Sequence, residues 1–286
     1  MNYELLPVRF DTEAISAYVR LFGECFPGTN KFNRQYVEWL YQQNPYGPAV
    51  GFDAWLGDRL ASHYVGIPIA AQVDGTPARA LLSLNTATHP EHQGRGLFTK
   101  LAERTYDTAA EQGLDLVFGV ANANSTPGFT RKLGFQLVEP LAAKVGLGSL
   151  GIDCAEVEKR AQFRTSWTPS GLAWRCANPN NRISHRVRGD RLQLYAPAIS
   201  PALQAYAELG ARGLAAPSAA DRRTLSPLRL YIGLEPTGLR PARAYVDIPQ
   251  RLRPSPLNLI YRPLSTIRER LDAGSVSFSF LDFDAY

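Results

Sequence analysis

A chain of 286 residues with 45% hydrophobic side chains can bury one large core or two modest ones. Its net charge of +5 rests on scattered arginines balanced by nearby acids; no recognition helix or RNA-binding motif accompanies it, so nucleic acid is not an expected partner. No apolar run has the length of a bilayer span, residues 1–4 do not open a signal peptide, and Cys25, Cys154 and Cys176 form neither a disulfide framework nor a paired metal pattern. The expectation is a cytoplasmic protein with reduced, buried thiols, no membrane span and no metal.

The first 48 residues read as helical. Ile15, Tyr18, Val19 and Phe22 fall on one helical face, as do Val37, Leu40 and Tyr41, and Pro45-Tyr46-Gly47-Pro48 ends the run. Strands at 51–56 and 60–67 follow, joined by the turn Gly57-Asp58-Arg59. A third at 70–74 leads through Gly75-Thr76-Pro77 into a fourth, Ala80–Thr88, which alternates apolar and polar residues. Phe32, Tyr36, Trp39, Tyr41 and Tyr46 either pack as core or, with His63 and Tyr64, line a groove suited to sugar or peptide faces.

After the fourth strand, Thr88-His89-Pro90-Glu91-His92-Gln93-Gly94-Arg95-Gly96-Leu97-Phe98 turns into a helix over 97–112. Free amides at a helix N-terminus, two glycines and the helix dipole suit a pyrophosphate; a strand-to-helix turn without ligand has the same look. Leu116–Val120 is a buried strand, followed by Asn122-Ala123-Asn124-Ser125 and Leu133-Gly134-Phe135. The polar cluster is a helix N-cap in its plainest reading.

Gln93-x-x-Gly96 and the pair Asn122/Ser125 with Leu133-Gly134-Phe135 resemble the two cofactor motifs of the GCN5-related N-acetyltransferases, over roughly residues 50–145. The resemblance implies an α/β (α+β) fold with a mixed central sheet whose strands splay apart to admit acetyl-CoA. It assigns cofactor binding to Thr86, Ala87, Thr88, Gln93, Gly94, Arg95, Gly96, Leu97, Phe98, Asn122, Asn124, Ser125 and Phe129. Two positions depart from the family pattern. Phe98 stands where a Gly or Ala is usual, and Thr130 where a proton-donating Tyr is frequent.

Backbone amides near Asn85, Thr86 and Ala87 are the expected donors to the thioester carbonyl, which gains charge in the transition state. His63 is the first choice as general base, ahead of Asp53, His89, Glu91 and His92. Tyr64, Tyr286 or water would supply the proton that the Thr130 position lacks. The end of the chain, Leu281-Asp282-Phe283-Asp284-Ala285-Tyr286, admits two readings. One is an exposed terminus; the other is a carboxylate folded into the site, as in the enhanced-intracellular-survival acetyltransferases that the chain resembles in having two halves.

The second half carries an echo of the first. Trp39…Asn44-Pro45 and Gly57-Asp58-Arg59 have counterparts in Trp174…Asn178-Pro179 and Gly189-Asp190-Arg191, but no glycine-rich turn follows residue 190. This reads either as a duplicated lobe that has lost its cofactor turn or as a chance repeat of a helix terminator and a hairpin. The organisation expected is a catalytic domain over 1–143 and a C-terminal α/β domain over 144–286, with strands at 228–234, 244–246, 258–261 and 275–281. Arg182, Arg186 and Arg188 share a strand face, as a solvated edge or as a seat for an anionic substrate. The function read from the chain is transfer of an acetyl group from acetyl-CoA to a primary amine of a small molecule, such as an amino sugar, by a monomer or homodimer. The alternatives are a longer acyl donor, or a binding module without chemistry.

Overall fold

The computed structural model describes residues 2–200, 202–214, 227–239, 244–253 and 255–284. Its first half runs β1 (Glu4–Pro7), α1 (Thr12–Cys25), α2 (Arg34–Gln42), β2 (Val50–Leu56), β3 (Arg59–Val73), β4 (Thr76–Thr88), α3 (Leu97–Glu111), β5 (Leu116–Ala121), α4 (Thr126–Lys132) and β6 (Gln136–Pro140). β7 (Ala142–Leu147) closes this half, and the second runs α5 (Cys154–Arg160), β8 (Phe163–Thr165), α6 (Pro169–Cys176), β9 (Ser184–Arg188), β10 (Arg191–Ser200), β11 (Leu203–Gly210), β12 (Leu228–Leu234), β13 (Tyr245–Asp247), β14 (Asn258–Pro263) and β15 (Val276–Ser279). Asp11 and Asn33 accept first-turn amides of α1 and α2, which fixes where both helices begin. No helix among the described residues is long and apolar enough to cross a membrane.

The expected second and third strands are one. β3 continues through Gly66-Ile67-Pro68 because β2 leaves its outer edge at Gly66 and β8 joins it only at Ala71. In that gap the Pro68 carbonyl accepts from Asn44 Nδ2 at 2.8 Å. A residue's N–H and C=O share one side of an antiparallel strand, so the N–H that proline lacks would have faced the same unpaired edge.

Two sheets repeat one order. The first reads β2-β3-β4-β5-β14-β6 and the second β9-β10-β11-β12-β7-β13; β4 with β5 and β11 with β12 are parallel, and every other pairing in the two series is antiparallel. The fifth strand of each comes from the other half of the chain. β14 enters the first sheet between β5 and β6, and β7 enters the second between β12 and β13. β6 and β7, neighbours in sequence, are therefore divided between the two sheets, and so are β13 and β14. α1 and α2 cover one face of the first sheet with Ile15, Tyr18, Phe22, Val37 and Leu40, while α3 covers the other with Leu97, Leu101 and Tyr106.

Trp39 on α2 and Trp174 on α6 sit between the halves. Their rings stack at 4.8 Å, and each indole N–H donates to the other's backbone carbonyl at 3.2 Å. The Gly57 and Gly189 turns, at φ +62° in both, close the corresponding hairpins. The repeat seen in the sequence thus ends in a contact of approximate twofold symmetry. Trp39→Phe and Trp174→Phe should each lower stability by about 1–2 kcal/mol, and the double variant should lose less than the sum; additive losses in chemical denaturation would show that the rings are not coupled.

Beyond the parallel pairing of Gln204 with Arg229 and Ala205 with Leu230, β11 and β12 part, and β15 fills the opening by pairing Ser279 and Phe278 with Gly233 and Leu234. A Cβ at Gly233 would overlap the Phe278 carbonyl, so the close approach of β15 requires glycine there. Beside it a cavity of about 100 Å³ is lined by Tyr231, Glu235 and Asp282 among others. Burial pushes the Glu235 carboxyl up to about 7 from an ordinary 4.5. Because its folded value lies above the unfolded one, Glu235 costs stability as pH rises from 4.5 through 7. Glu235→Gln should leave stability unchanged at pH 4 and raise it by about 1–3 kcal/mol at pH 8, as read by urea denaturation at the two pH values.

Candidate active site

The site is built where the first sheet opens. β4 and β5 pair from Ala80–Leu116 to Ser83–Gly119; beyond that, Val120 and Ala121 pair with β14 on their far side. On its other edge β4 bulges. Between the partners His63–Ala87 and Val65–Leu84 it places two residues, Asn85 and Thr86, against Tyr64 alone on β3, and Asn85 takes φ +48°. A cavity of about 220 Å³ follows the bulge, with Leu84, Asn85, Thr86 and Val120 on the sheet side and Phe26 and Phe32 opposite.

The turn into α3 forms the second part. Arg59 bonds Glu91 at 2.8 Å and the His89 ring at 2.9 Å, and so ties the 3-10 turn Pro90–His92 to the β2–β3 hairpin. His89, Glu91 and His92 place ligand-type atoms within 4.8 Å of one another, and the guanidinium of Arg59 already lies against the first two. Gln93 Nε2 donates to the Thr88 carbonyl at 3.3 Å. Gly94 and Gly96 follow at φ +74° and +72°, a conformation other residues adopt only under strain. Gly96 is the N-cap and has no side chain with which to satisfy the first-turn amides of α3. An exposed, uncapped positive helix end results, and an anion fits it.

Phe98 does not block this cradle. Its ring turns towards α4, edge-on to Phe129 at 5.2 Å and to Tyr64 at 6.0 Å, and lies over Gly128. Leu97 points into the core, and Arg95 is exposed, reaching only the Glu91 carbonyl at 3.4 Å. At the end of β5, Asn122 Oδ1 accepts the amides of Asn124 and Ser125 at 3.0 Å, which starts α4. Asn122 and Asn124 are exposed at the mouth of the opening, Ser125 is half-buried, and Phe129 anchors α4 in the core. Thr130, at the position of the family's tyrosine, spends its hydroxyl on the Thr126 carbonyl within its own helix.

The expected proton-transfer residues are not gathered at the cavity. His63 has no exposed surface and is enclosed by Asp53, Tyr41 and Tyr18. Tyr64 lies beneath α3, its hydroxyl bonded to Ser83 and Tyr106, and burial pushes it up to about 12. Tyr286 lies outside the described residues. Asp284, two positions earlier, does reach the cavity. It is held by Lys31 at 2.7 Å and by the Tyr36 hydroxyl, while buried Arg175 of α6 holds the Phe283 carbonyl. Burial and the Asp284 carboxylate keep the Tyr36 hydroxyl protonated, well above the ordinary tyrosine value. The role of Lys31 had no local sequence signal, since its partner is 253 residues away.

Residues 9–138 match the family model of an acetyltransferase (GNAT) domain. The chain carries a GNAT-family acetyltransferase domain. Its opened β4–β5 pair and uncapped α3 correspond to the splayed strands and free helix amides expected from sequence, and the β4 bulge is added by the structure. No curated protein matches the chain. Among solved structures it is similar to a GCN5-related N-acetyltransferase from Anabaena variabilis, at 12% identity and a TM-score of 0.61 over 92% of this chain and 73% of the other. Eis1 from Mycobacterium abscessus gives 13% and 0.57 over 92% and 74%. A putative acetyltransferase from Pyrococcus horikoshii gives 12% and 0.53 over 98% and 96%. At such identities the likeness is one of fold, and it extends through both halves of the chain.

A Cβ on Gly128 would stand 3.1 Å from Phe98 Cε1. Gly128→Ala should cost about 1–2 kcal/mol, and Phe98→Leu in the same chain should recover part of that loss; no recovery in thermal melts would show that the two residues are not in register.

Proposed function

We propose that this protein transfers an acetyl group from acetyl-CoA to a primary amine of a small molecule by direct attack in a ternary complex. The observation that carries the reading is the alignment of three features on one sheet: an uncapped helix end at Gly94–Phe98, an opening between β4 and β5, and a cavity beyond the Asn85 bulge. A pyrophosphate fits the first, a pantetheine chain pairs with the strand edge in the second, and the thioester and amine meet in the third. Gln93 through Phe98 contribute the phosphate cradle, Thr86–Thr88 and Asn122–Ser125 flank the pantetheine, and Phe129 supports the wall.

The acceptor approaches past Phe26 and Phe32, from the side on which Asp284 closes the cavity. Asp284, which lines that cavity, is the proposed base. The second half is proposed as a copy of the first that kept the strand order and lost the cofactor turn, with β15 standing where the donor would lie. The raised thiols of Cys25 and Cys176, about 11 and about 12 through burial, suit the reduced interior of a cytoplasmic protein.

Saturating acetyl-CoA should stabilise the protein by about 2–3 kcal/mol at a hundredfold excess over its Kd, seen as a rise in Tm. Gly96→Asp should abolish that rise by placing a carboxylate in the phosphate cradle, and a panel of amines should yield thiol release with the unaltered chain only. A flat melting profile would sink the donor assignment; binding without release from any amine would favour a binding module, and preference for a long-chain donor in competition would replace the acetyl group.

A further inference from the structure

Behind the Asn85 bulge runs a hydrogen-bond chain that the reaction as proposed does not use. The Arg9 amide donates to the Tyr18 hydroxyl at 3.0 Å, and that hydroxyl donates to Asp53 Oδ2 at 2.8 Å. Asp53 Oδ1 meets His63 Nδ1 at 2.6 Å, His63 Nε2 meets the Tyr41 hydroxyl at 2.9 Å, and Asn85 Nδ2 donates to that hydroxyl at 3.1 Å. Tyr18, Asp53, His63 and Tyr41 are each at most 1% exposed, and none of them lines the cavity.

The direction of every bond follows from the groups at the ends. A carboxylate only accepts, so His63 carries its proton on Nδ1. An amide NH₂ only donates, so the Tyr41 oxygen accepts from Asn85, and with His63 as the Nδ1–H tautomer the Tyr41 proton goes to Nε2. Burial raises the Tyr18 and Tyr41 hydroxyls well above their ordinary value, so both remain donors. Every polar atom of the chain that faces inward is satisfied, and the chain has one free end, Asn85.

Asn85 is also where the backbone is strained. A positive φ at a residue other than glycine persists when its surroundings over-determine it. Apolar side chains of the same volume would fill the space behind the bulge without desolvating a carboxylate, but would leave Asn85 unanchored. We infer that Asp53, His63 and Tyr41 are positioning residues for acyl transfer, a buried strut that sets the Asn85 bulge so that its backbone amides meet the thioester carbonyl. His63 then acts through Tyr41 and Asn85 and touches no substrate. The inference rests on the reading of the β4–β5 opening as the donor site.

CoA and acetyl-CoA differ only in the acetyl group that replaces the thiol hydrogen, so a change in the ratio of their dissociation constants between the unaltered chain and a variant reports how that group is held. Calorimetric titration of the full chain should show acetyl-CoA bound about fivefold more tightly than CoA, the effect of one net hydrogen bond. Tyr41→Phe removes one oxygen from the strut, and Asn85→Gly removes its anchor with a residue that accepts positive φ. In both, the ratio should fall to about one while CoA binds within about twofold of the unaltered chain. A structural role alone would weaken both ligands alike or neither, and an unchanged ratio in the folded variants overturns the strut. Equal binding of the two ligands by the unaltered chain also overturns it. Failure of the unaltered chain to bind either ligand overturns the donor site itself, which separates the two readings.

Discussion

Two parallel strands that pair over four residue positions and then part leave backbone amides and carbonyls without partners, and most of this structure can be understood as a response to that opening. In the first sheet β4 bulges away, and β14, brought from far along the chain, covers the far edge of β5. The near edge stays open to a ligand. In the second sheet the chain closes the same opening with β15. One fold thus offers two solutions to one constraint, and only the first leaves space of the right shape for a slender amide-bearing molecule.

The exchange of β7 and β14 gives the two halves a common fate. Each sheet is incomplete without a strand from the other half, and the Trp39–Trp174 pair adds reciprocal hydrogen bonds at the point where the helical layers meet. A cut near residue 143 would remove β14 from between β5 and β6, and with it the contact of Asn258 with Thr126 that steadies the start of α4. The donor-side architecture therefore depends on residues far beyond the span that resembles the acetyltransferase motifs.

Local chemistry made much of this legible. The glycine turns at 57 and 189 and the glycine-rich turn at 94–96 are each decided by a few neighbouring residues, and they stand where the pattern places them. Phe98 was unresolved in sequence because a motif specifies a residue type and not the direction of its side chain; the ring's partners, Tyr64, Phe129 and Gly128, come from three other places in the chain. Sequence breaks β3 between 67 and 70, and the structure carries it through Pro68, because a strand's tolerance of proline depends on which edge is paired, and that is a property of the sheet. His63 was sought at the cavity because histidine has a suitable pKa, yet alternation along β3 sends it inward, between Asp53 and Tyr41. The strand exchange had no local signal at all.

That inward placement bears on how the site divides its labour. A histidine exposed to the cavity could exchange protons with an acceptor, but it would also titrate with solvent and admit water beside the thioester. Buried with a carboxylate on one nitrogen and a tyrosine on the other, it has a fixed tautomer and a fixed orientation, which are the properties of a support. The groups that do face the cavity are held from both halves: Lys31 and Tyr36 grip Asp284, and Arg175 grips the residue before it. On the proposed reading, donor alignment belongs to the first sheet and its strut, while the acceptor side belongs to a segment that leaves the second sheet through β15. The two substrates of a ternary reaction would be positioned by different halves of one chain, and the exchanged strands keep those halves in register.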